Sequence, residues 1–96
     1  MIPQNRIATH PGVILLKEFL EPLGLSQQAL ATHIGMPVQR INEIIRGERS
    51  VSPETAWLLS EAFNTSPEFW LNLQTTHDLS LYQPKAHIQP LVPISV

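Results

Sequence analysis

The sequence predicts an all-α domain of five short helices, followed by an extended tail. Apolar residues recur at helical spacing in several stretches, and a serine or another polar residue stands before most of them. Three prolines after residue 82 then forbid a further helix. Ninety-six residues allow one small core. We therefore expect a compact helical domain over residues 1–80 and a Pro-rich tail over residues 81–96.

The first helix begins at Pro11, after the polar pair Thr9 and His10. Pro22 is expected to end it, because the residue before a proline is biased out of the helical region. Gly24 then allows a turn. The predicted buried stripe of this helix consists of Leu15, Leu16, Phe19, Leu20 and Leu23.

Two further helices are predicted in the centre of the chain. Ser26 is a suitable N-cap for the first of them, since its hydroxyl can accept a hydrogen bond from a first-turn amide. Gly35 can end this helix in the left-handed conformation, and Pro37 suits the first turn of the next. That second helix is expected to run from about Pro37 to Arg46 and to stop at Gly47. The apolar residues of the pair are Leu30, Ala31, Ile34, Ile41, Ile44 and Ile45.

The spacing in this central pair is that of a helix-turn-helix over about residues 26–47. Counted from Gln27, the motif requires a small residue at the fifth position, glycine at the ninth, and aliphatic residues at the fifteenth and eighteenth. Ala31, Gly35, Ile41 and Ile44 occupy these positions. In such a motif the second helix lies in the DNA major groove. The alternative is a helical hairpin within a helical core, without a role in binding nucleic acid.

Two more helices follow the same pattern of start signals. Ser52 and Pro53 begin the fourth, which Asn64 closes, and Ser66 and Pro67 begin the fifth, of about three turns. Their predicted apolar residues are Ala56, Leu58, Leu59, Ala62 and Phe63, then Phe69, Trp70, Leu71, Leu73 and Leu79. Trp57 and Trp70 are expected in the core or at a dimer interface.

The tail combines prolines with apolar residues, a composition too apolar for a solvated linker. Its apolar residues are Ile88, Leu91, Val92, Ile94 and Val96. Such a segment must lie either on its own domain or on a second subunit, and we favour the second subunit. The candidate dimer or partner contacts are Trp70, Leu73, Ile88, Leu91 and Val92.

Composition limits the other classes of function. The chain has no cysteine, its four histidines show no metal-ligand spacing, and no catalytic constellation or cofactor-binding loop is evident. We expect neither an enzyme nor a metal or cofactor site. The absence of a signal peptide or membrane span predicts a cytoplasmic protein.

The net charge of −2 disfavours DNA binding, but its distribution does not. The first 50 residues have five basic and four acidic side chains, whereas the other 46 have one basic and four acidic. The positive charge thus lies near the predicted DNA-reading helix, and the acidic half is expected to face away.

The exposed side of that helix supplies candidates for reading base edges. The amides of Gln39 and Asn42 can make the paired contact that distinguishes adenine. Both amides could instead be ordinary solvated side chains. Val38 is a candidate for a thymine methyl group and Glu43 for a cytosine amino group; otherwise Glu43 would only repel the phosphates. The candidate contacts to the DNA backbone are Gln27, Gln28, Pro37, Arg40, Arg46 and Arg49. Arg49 could equally pair with Glu48 or Glu54.

Three strings together resemble the HigA or VapI family of bacterial antitoxins, a branch of the Cro and phage-repressor type of helix-turn-helix proteins. They are HPGVILLKEFLEPLGLSQQALA, QRINEIIRGER and TSPEFWLNLQ, and the similarity runs from about His10 to Leu79. The resemblance implies a lambda-repressor-like fold and a homodimer that binds a palindromic operator in double-stranded DNA. It also implies a neighbouring HigB-like toxin, an mRNA-cleaving enzyme held inactive by the antitoxin. A stand-alone regulator, or an interaction module that has lost DNA binding, are the alternatives.

Overall fold

The computed structural model describes residues 6–92, and these form five helices with no strand. Helix α1 has three consecutive segments, Pro11–Ile14, Leu15–Leu20 and Glu21–Leu23, of which the middle one is π-helical. The other helices are α2 (Gln27–Ile34), α3 (Val38–Ile45), α4 (Pro53–Phe63) and α5 (Pro67–Leu81). The predicted all-α, five-helix class is confirmed.

Serine side chains cap three of these helices as predicted. The hydroxyl oxygens of Ser26, Ser52 and Ser66 accept hydrogen bonds from amides three residues later, at 3.0, 3.2 and 3.1 Å. Each bond satisfies an amide that has no partner within its own helix. Asn64 closes α4 with a positive φ of 57°. The local sequence therefore determines where these helices begin and end.

Helix α1 differs from its prediction, because Pro22 does not end it. The helix continues to Leu23 and ends at Gly24, which has a left-handed φ of 66°. In the π-helical segment the Glu21 amide donates to the Leu16 carbonyl, five residues back. This wider turn also changes which residues share a face: Leu15 and Leu20, five apart, are both fully buried. Leu23, predicted on the buried stripe, is 61% exposed.

The core lies where α4 and α5 pack together and α1 and α2 close over them. Its largest fully buried side chains include Leu15, Leu20, Ile41, Ile44, Leu59 and Trp70. The Trp70 indole nitrogen donates to Thr65 Oγ1 at 2.8 Å, so its polar atom is satisfied. The centroid of the Phe19 ring lies 4.9 Å from the ring centroid of Phe63 and 5.2 Å from that of Trp70. Aromatic packing thereby joins α1, α4 and α5.

Helix α5 is longer than predicted. Its side chains also bind two irregular segments, one before α1 and one between α3 and α4. It ends at Leu81 rather than near Leu79. The buried side chain of Gln74 accepts a hydrogen bond from the Val51 amide at 2.8 Å, which fixes the connection between α3 and α4. Before α1, the Ala8 amide donates to Ser80 Oγ at 2.8 Å. Helix α5 thereby fixes the segment that follows α3 and the segment that leads into α1.

Candidate nucleic-acid interface

Helix α3 lies against α2 in the arrangement that the motif requires. Ala31 is buried at the contact, and Gly35 has a φ of 72°, which only glycine adopts readily. Ile41 and Ile44 are completely buried, and Ile34 is half-buried against the core. The residues of the motif thus form the turn between the two helices and their buried side. Pro37 differs slightly: it stands before the first turn, at the N-cap, and the helix begins at Val38.

The opposite side of α3 is open to solvent, and we call it the reading face: Val38, Gln39, Asn42 and Glu43. Gln39 is exposed, whereas the other three are half-buried. Val38 also packs partly against the core. Gln39 and Glu43 line a shallow groove of about 240 Å³ together with Pro37, Arg40 and Arg49. The amide of Gln39 is therefore accessible to a ligand, as base reading requires.

Each of the three arginines near the reading face has a glutamate partner. Arg40 Nη1 lies 3.9 Å from Glu54 Oε1, Arg46 Nη2 lies 3.4 Å from Glu48 Oε1, and Arg49 Nε lies 2.8 Å from Glu43 Oε1. The expectation that the acidic half faces away is wrong for Glu54. That residue is in the first turn of α4, where the helix dipole favours a carboxylate, and the turn after α3 brings it back to Arg40.

The partner of Arg49 is not one of the two glutamates proposed from the sequence. Glu43 is six residues away and lies on α3 itself, so the Arg49 side chain reaches back over the reading face. Sequence proximity suggested Glu48 and Glu54, but Glu48 pairs with Arg46 and Glu54 with Arg40. The turn at Gly47, with a φ of 76°, reverses the chain and makes this contact possible.

The start of α2 supplies the other candidate backbone contacts. Gln27 is its first residue and is half-buried, while Gln28 is exposed and donates from Nε2 to Thr32 Oγ1 at 3.1 Å. The amides of this first turn have the positive end of the helix dipole. Ser26 satisfies the amide of Ala29. The geometry is thus compatible with a phosphate beside Gln27 and Gln28.

Sequence reasoning missed the contact that supports α3 from behind. Helix α1 crosses α3 at Gly12, where a Cβ atom would lie 2.7 Å from the Ile44 carbonyl carbon and 2.8 Å from Ile45 Cα. Only glycine allows the two backbones to approach so closely. A glycine in the first turn of a helix was the available signal, because glycine costs about 1 kcal/mol relative to alanine in helices unless packing requires it.

His10, also missed, caps α1 beside this contact. Its Nδ1 accepts a hydrogen bond from the Gly12 amide at 2.9 Å, so this nitrogen must be unprotonated. Its ring stacks edge-on against His77, with 4.8 Å between the centroids. Burial and, secondarily, the charge of His77 lower the pKa of His10, while Asp78 acts in the opposite direction. The neutral imidazole is therefore the form that suits the folded protein.

The predicted partner contacts fall into two groups. Trp70 is fully buried within its own protomer, so the prediction that it contacts a partner is wrong; the aromatic cluster encloses it. Leu73 is half-buried, whereas Ile88, Leu91 and Val92 are 93%, 102% and 71% exposed. The described apolar side chains of the tail therefore do not pack on their own domain. Ile94 and Val96 lie outside the described residues.

Trp57 is not a core residue, because it is 60% exposed on α4. Position 57 faces outward since its helical neighbours Ala56 and Leu59 occupy the buried side.

Among the helices of residues 6–92, none is both long enough and apolar enough to cross a membrane.

Comparison with known proteins agrees with this geometry. A family model described as a helix-turn-helix (HTH_3) matches residues 16–70, more than half of the chain. Virulence-associated protein I of Dichelobacter nodosus is 43% identical over 89 residues, which cover 92% of this chain and 82% of that protein.

Two solved structures extend the likeness to coordinates. One is the antitoxin GraA in complex with its operator, with a TM-score of 0.84 and 36% identity over 97% of this chain and 100% of that one. The other is Pseudomonas aeruginosa antitoxin HigA with the higBA promoter, with a TM-score of 0.80 and 36% identity over 88% and 98% of the two chains. The chain belongs to the XRE-type helix-turn-helix family of HigA and virulence-associated protein I, which confirms the resemblance.

The likeness reaches further along the chain than the three strings suggested. It was expected to stop near Leu79, yet the match to operator-bound GraA covers 97% of this chain and so extends into the tail. Prolines and isolated apolar residues form no recognisable motif, which explains why the sequence alone did not indicate this.

Proposed function

We propose that this protein is a DNA-binding antitoxin that represses its own operon as a homodimer and neutralises a HigB-like, mRNA-cleaving toxin. A DNA-binding helix-turn-helix antitoxin of the HigA and GraA type follows from the family to which the chain belongs. Operator binding by this chain, self-repression, the homodimer and the toxin go beyond the family and are tested separately.

The observation that supports DNA binding most strongly is the exposure of Gln39 on a helix whose other side is completely buried. Because Ile41 and Ile44 are completely buried, they fix the orientation of α3, and Gln39 then points toward solvent. A rigid helix with an outward amide suits the major groove, where a glutamine can contact the N6 and N7 atoms of adenine. Asn42, one turn further, is half-buried and can contact the neighbouring base pair.

A homodimer would place two such helices in successive major grooves. The two half-sites would lie about one helical turn apart, roughly 10 base pairs between their centres. Support for a second copy comes from Ile88, Leu91 and Val92, which expose apolar side chains that the protomer leaves uncovered. Leu73 is the half-buried candidate on the domain itself. Repression would follow from occupation of the promoter.

Binding of the duplex upstream of the protein's own gene tests the DNA-binding part, at two salt concentrations and against a scrambled duplex. Gln39→Ala should lower the affinity by about 1–3 kcal/mol at particular base pairs only. Arg46→Ala should weaken binding to every sequence and reduce the salt slope by about 1 for each contact. Equal binding of both duplexes by the unaltered protein would exclude sequence-specific operator binding, and binding of neither duplex would leave only an interaction module.

Sedimentation of the full chain and of a chain truncated after Tyr82 tests the homodimer. We expect the full chain to dimerise and the truncated chain to dissociate at concentrations where the full chain does not. Equally tight dimers of both would exclude a role for the tail. Leu23→Ser, which removes an exposed apolar side chain outside the candidate partner contacts, serves as the control.

Co-purification with the products of the adjacent reading frames tests the toxin. We expect a small basic protein to remain bound through gel filtration and to lose its mRNA cleavage in the complex. Operator binding without any such partner would support the stand-alone regulator instead. This outcome would leave the DNA-binding part of the proposal intact.

A further inference from the structure

The contact between Arg49 and Glu43 differs from the other ion pairs near the reading face. Its 2.8 Å hydrogen bond is the shortest of the four ion pairs in residues 6–92. It also joins the connection after α3 to α3 itself. Arg46 and Glu48, by contrast, are 3.4 Å apart and both 60% exposed. The Arg49 guanidinium is thus held on α3, whereas Arg46 is only loosely paired.

The position of this guanidinium places it beside the proposed base-reading amide. Arg49 and Glu43 line the same groove as Gln39, on the side of α3 that faces solvent. The Glu43 side chain is 25% exposed and that of Arg49 is 49% exposed. Glu43 therefore acts as the inner anchor, and Arg49 covers it while keeping donors accessible.

The chemistry of the pair favours base reading over a phosphate contact. An arginine has five N–H donors in a rigid fork, so a bond from Nε to a carboxylate still leaves terminal donors to meet O6 and N7 of guanine. An arginine that contacts a phosphate must extend outward from the protein to the DNA strand. The bond to Glu43 draws Arg49 the other way, toward the helix that would enter the groove.

We infer that Arg49 is a base-reading residue that selects guanine, and that Glu43 is its positioning residue. This inference rests on the proposed binding of DNA by α3. It reverses the roles given to the two side chains from the sequence, where Glu43 was the base reader and Arg49 a backbone contact. It also explains how a carboxylate can lie on the reading face, because Arg49 offsets its repulsion of the phosphates.

Selection from a library of randomised duplexes tests the inference on the full-length protein. The unaltered protein should select a guanine at one position of each half-site. Arg49→Ala should reduce the discrimination between guanine and adenine at that position by about 10- to 100-fold. Arg49→Lys should lose the same discrimination but keep the salt dependence, because it keeps the charge without the fork.

Glu43→Gln and Arg46→Ala complete the set. Glu43→Gln should weaken the guanine preference less than Arg49→Ala, and it should have no added effect in the Arg49→Ala background. Arg46→Ala, the matched control, should lower affinity uniformly and leave the selected sequence unchanged. The three substituted side chains are exposed or partly exposed, and thermal melting verifies that each of the four variants folds.

Two results would overturn the inference, and they differ in what else they exclude. An unchanged guanine preference in Arg49→Ala, with equal loss of affinity on all sequences, would make Arg49 a phosphate contact and leave the proposed function standing. Failure of the unaltered protein to select any sequence would exclude the proposed DNA-binding function and this inference with it.

Discussion

Substitution of Gly12 by alanine should displace the DNA-reading helix. The added Cβ atom would meet backbone atoms of α3, the Ile44 carbonyl and Ile45 Cα, which no change of side-chain rotamer can move. The carbonyl carbon would have to retreat from 2.7 Å to at least 3.4 Å, where ordinary van der Waals contact begins. Overpacking of this kind typically costs about 1–3 kcal/mol. The higher helix propensity of alanine offsets at most about 1 kcal/mol of that cost.

A clash with backbone atoms lies in the upper part of that range, so a net cost of about 1–2 kcal/mol remains after the offset. The melting temperature should therefore fall by about 4–16 °C, since 1 kcal/mol corresponds to roughly 4–8 °C in a domain of this size. Thermal unfolding followed by circular dichroism measures it. Val13→Ala is the control, because Val13 is the neighbouring residue and is 43% exposed; its effect should stay within about 0.5 kcal/mol. Operator affinity, measured well below the unfolding transition, should fall only for Gly12→Ala. A Gly12→Ala variant as stable as the unaltered protein would refute the close approach of α1 to α3.

Three further predictions concern Trp70 and Gln74 of α5 and the α1 cap, His10. Trp70→Ala should cost about 3–5 kcal/mol in urea unfolding because the ring is fully buried, whereas Trp57→Ala should stay within about 0.5 kcal/mol; comparable costs would contradict this burial. Gln74→Leu should cost about 1–3 kcal/mol, since the buried Val51 amide loses its acceptor; Gln74→Glu should cost no less, because its carboxylate would face Asp78 Oδ1, which accepts from Gln74 Nε2 at 2.9 Å. Because burial lowers the pKa of His10 below 6.5, the unfolded chain takes up a proton at a higher pH than the folded chain does. Stability should therefore fall as the pH drops through 6.5, and His10→Asn should weaken that dependence; equal pH profiles of the two proteins would count against it.

The features that the sequence predicted well are determined by neighbouring residues. Ser26, Ser52 and Ser66 cap helices through their own side chains, and Gly35 and Asn64 end helices through backbone conformations that their residue types favour. The helix-turn-helix itself needs only side chains within about twenty residues of one another. Local rules therefore suffice for the element order and for the seating of α3.

The features that the sequence did not predict depend on contacts between residues far apart in the chain. The π-helical segment of α1 changes which of its side chains share a face, so Leu15 and Leu20 are both buried while Leu23 is exposed. The close approach of Gly12 to Ile44 joins residues far apart in the chain. The pairing of Arg49 with Glu43 requires the turn at Gly47. The spacing of residues along the sequence does not indicate any of these three features.

The ion pairs around α3 also predict how DNA binding depends on salt. If Arg40, Arg46 and Arg49 of both protomers neutralised six phosphates outright, log Kobs would fall with log salt at a slope of about −5. Arg40 and Arg46 instead begin in pairs with glutamates whose carboxylates remain near the phosphates after the exchange, and Arg49 is held by Glu43 toward the base edges. The effective charge is smaller, so the slope should be shallower than −5. Glu48→Gln, which frees Arg46 alone, should steepen it by up to about 1 for each half-site. A slope of −5 or steeper in the unaltered protein would mean that the glutamates do not limit the charge presented to DNA. A shallow slope would mean that base contacts, rather than net charge, supply most of the affinity of a protein whose charge is −2.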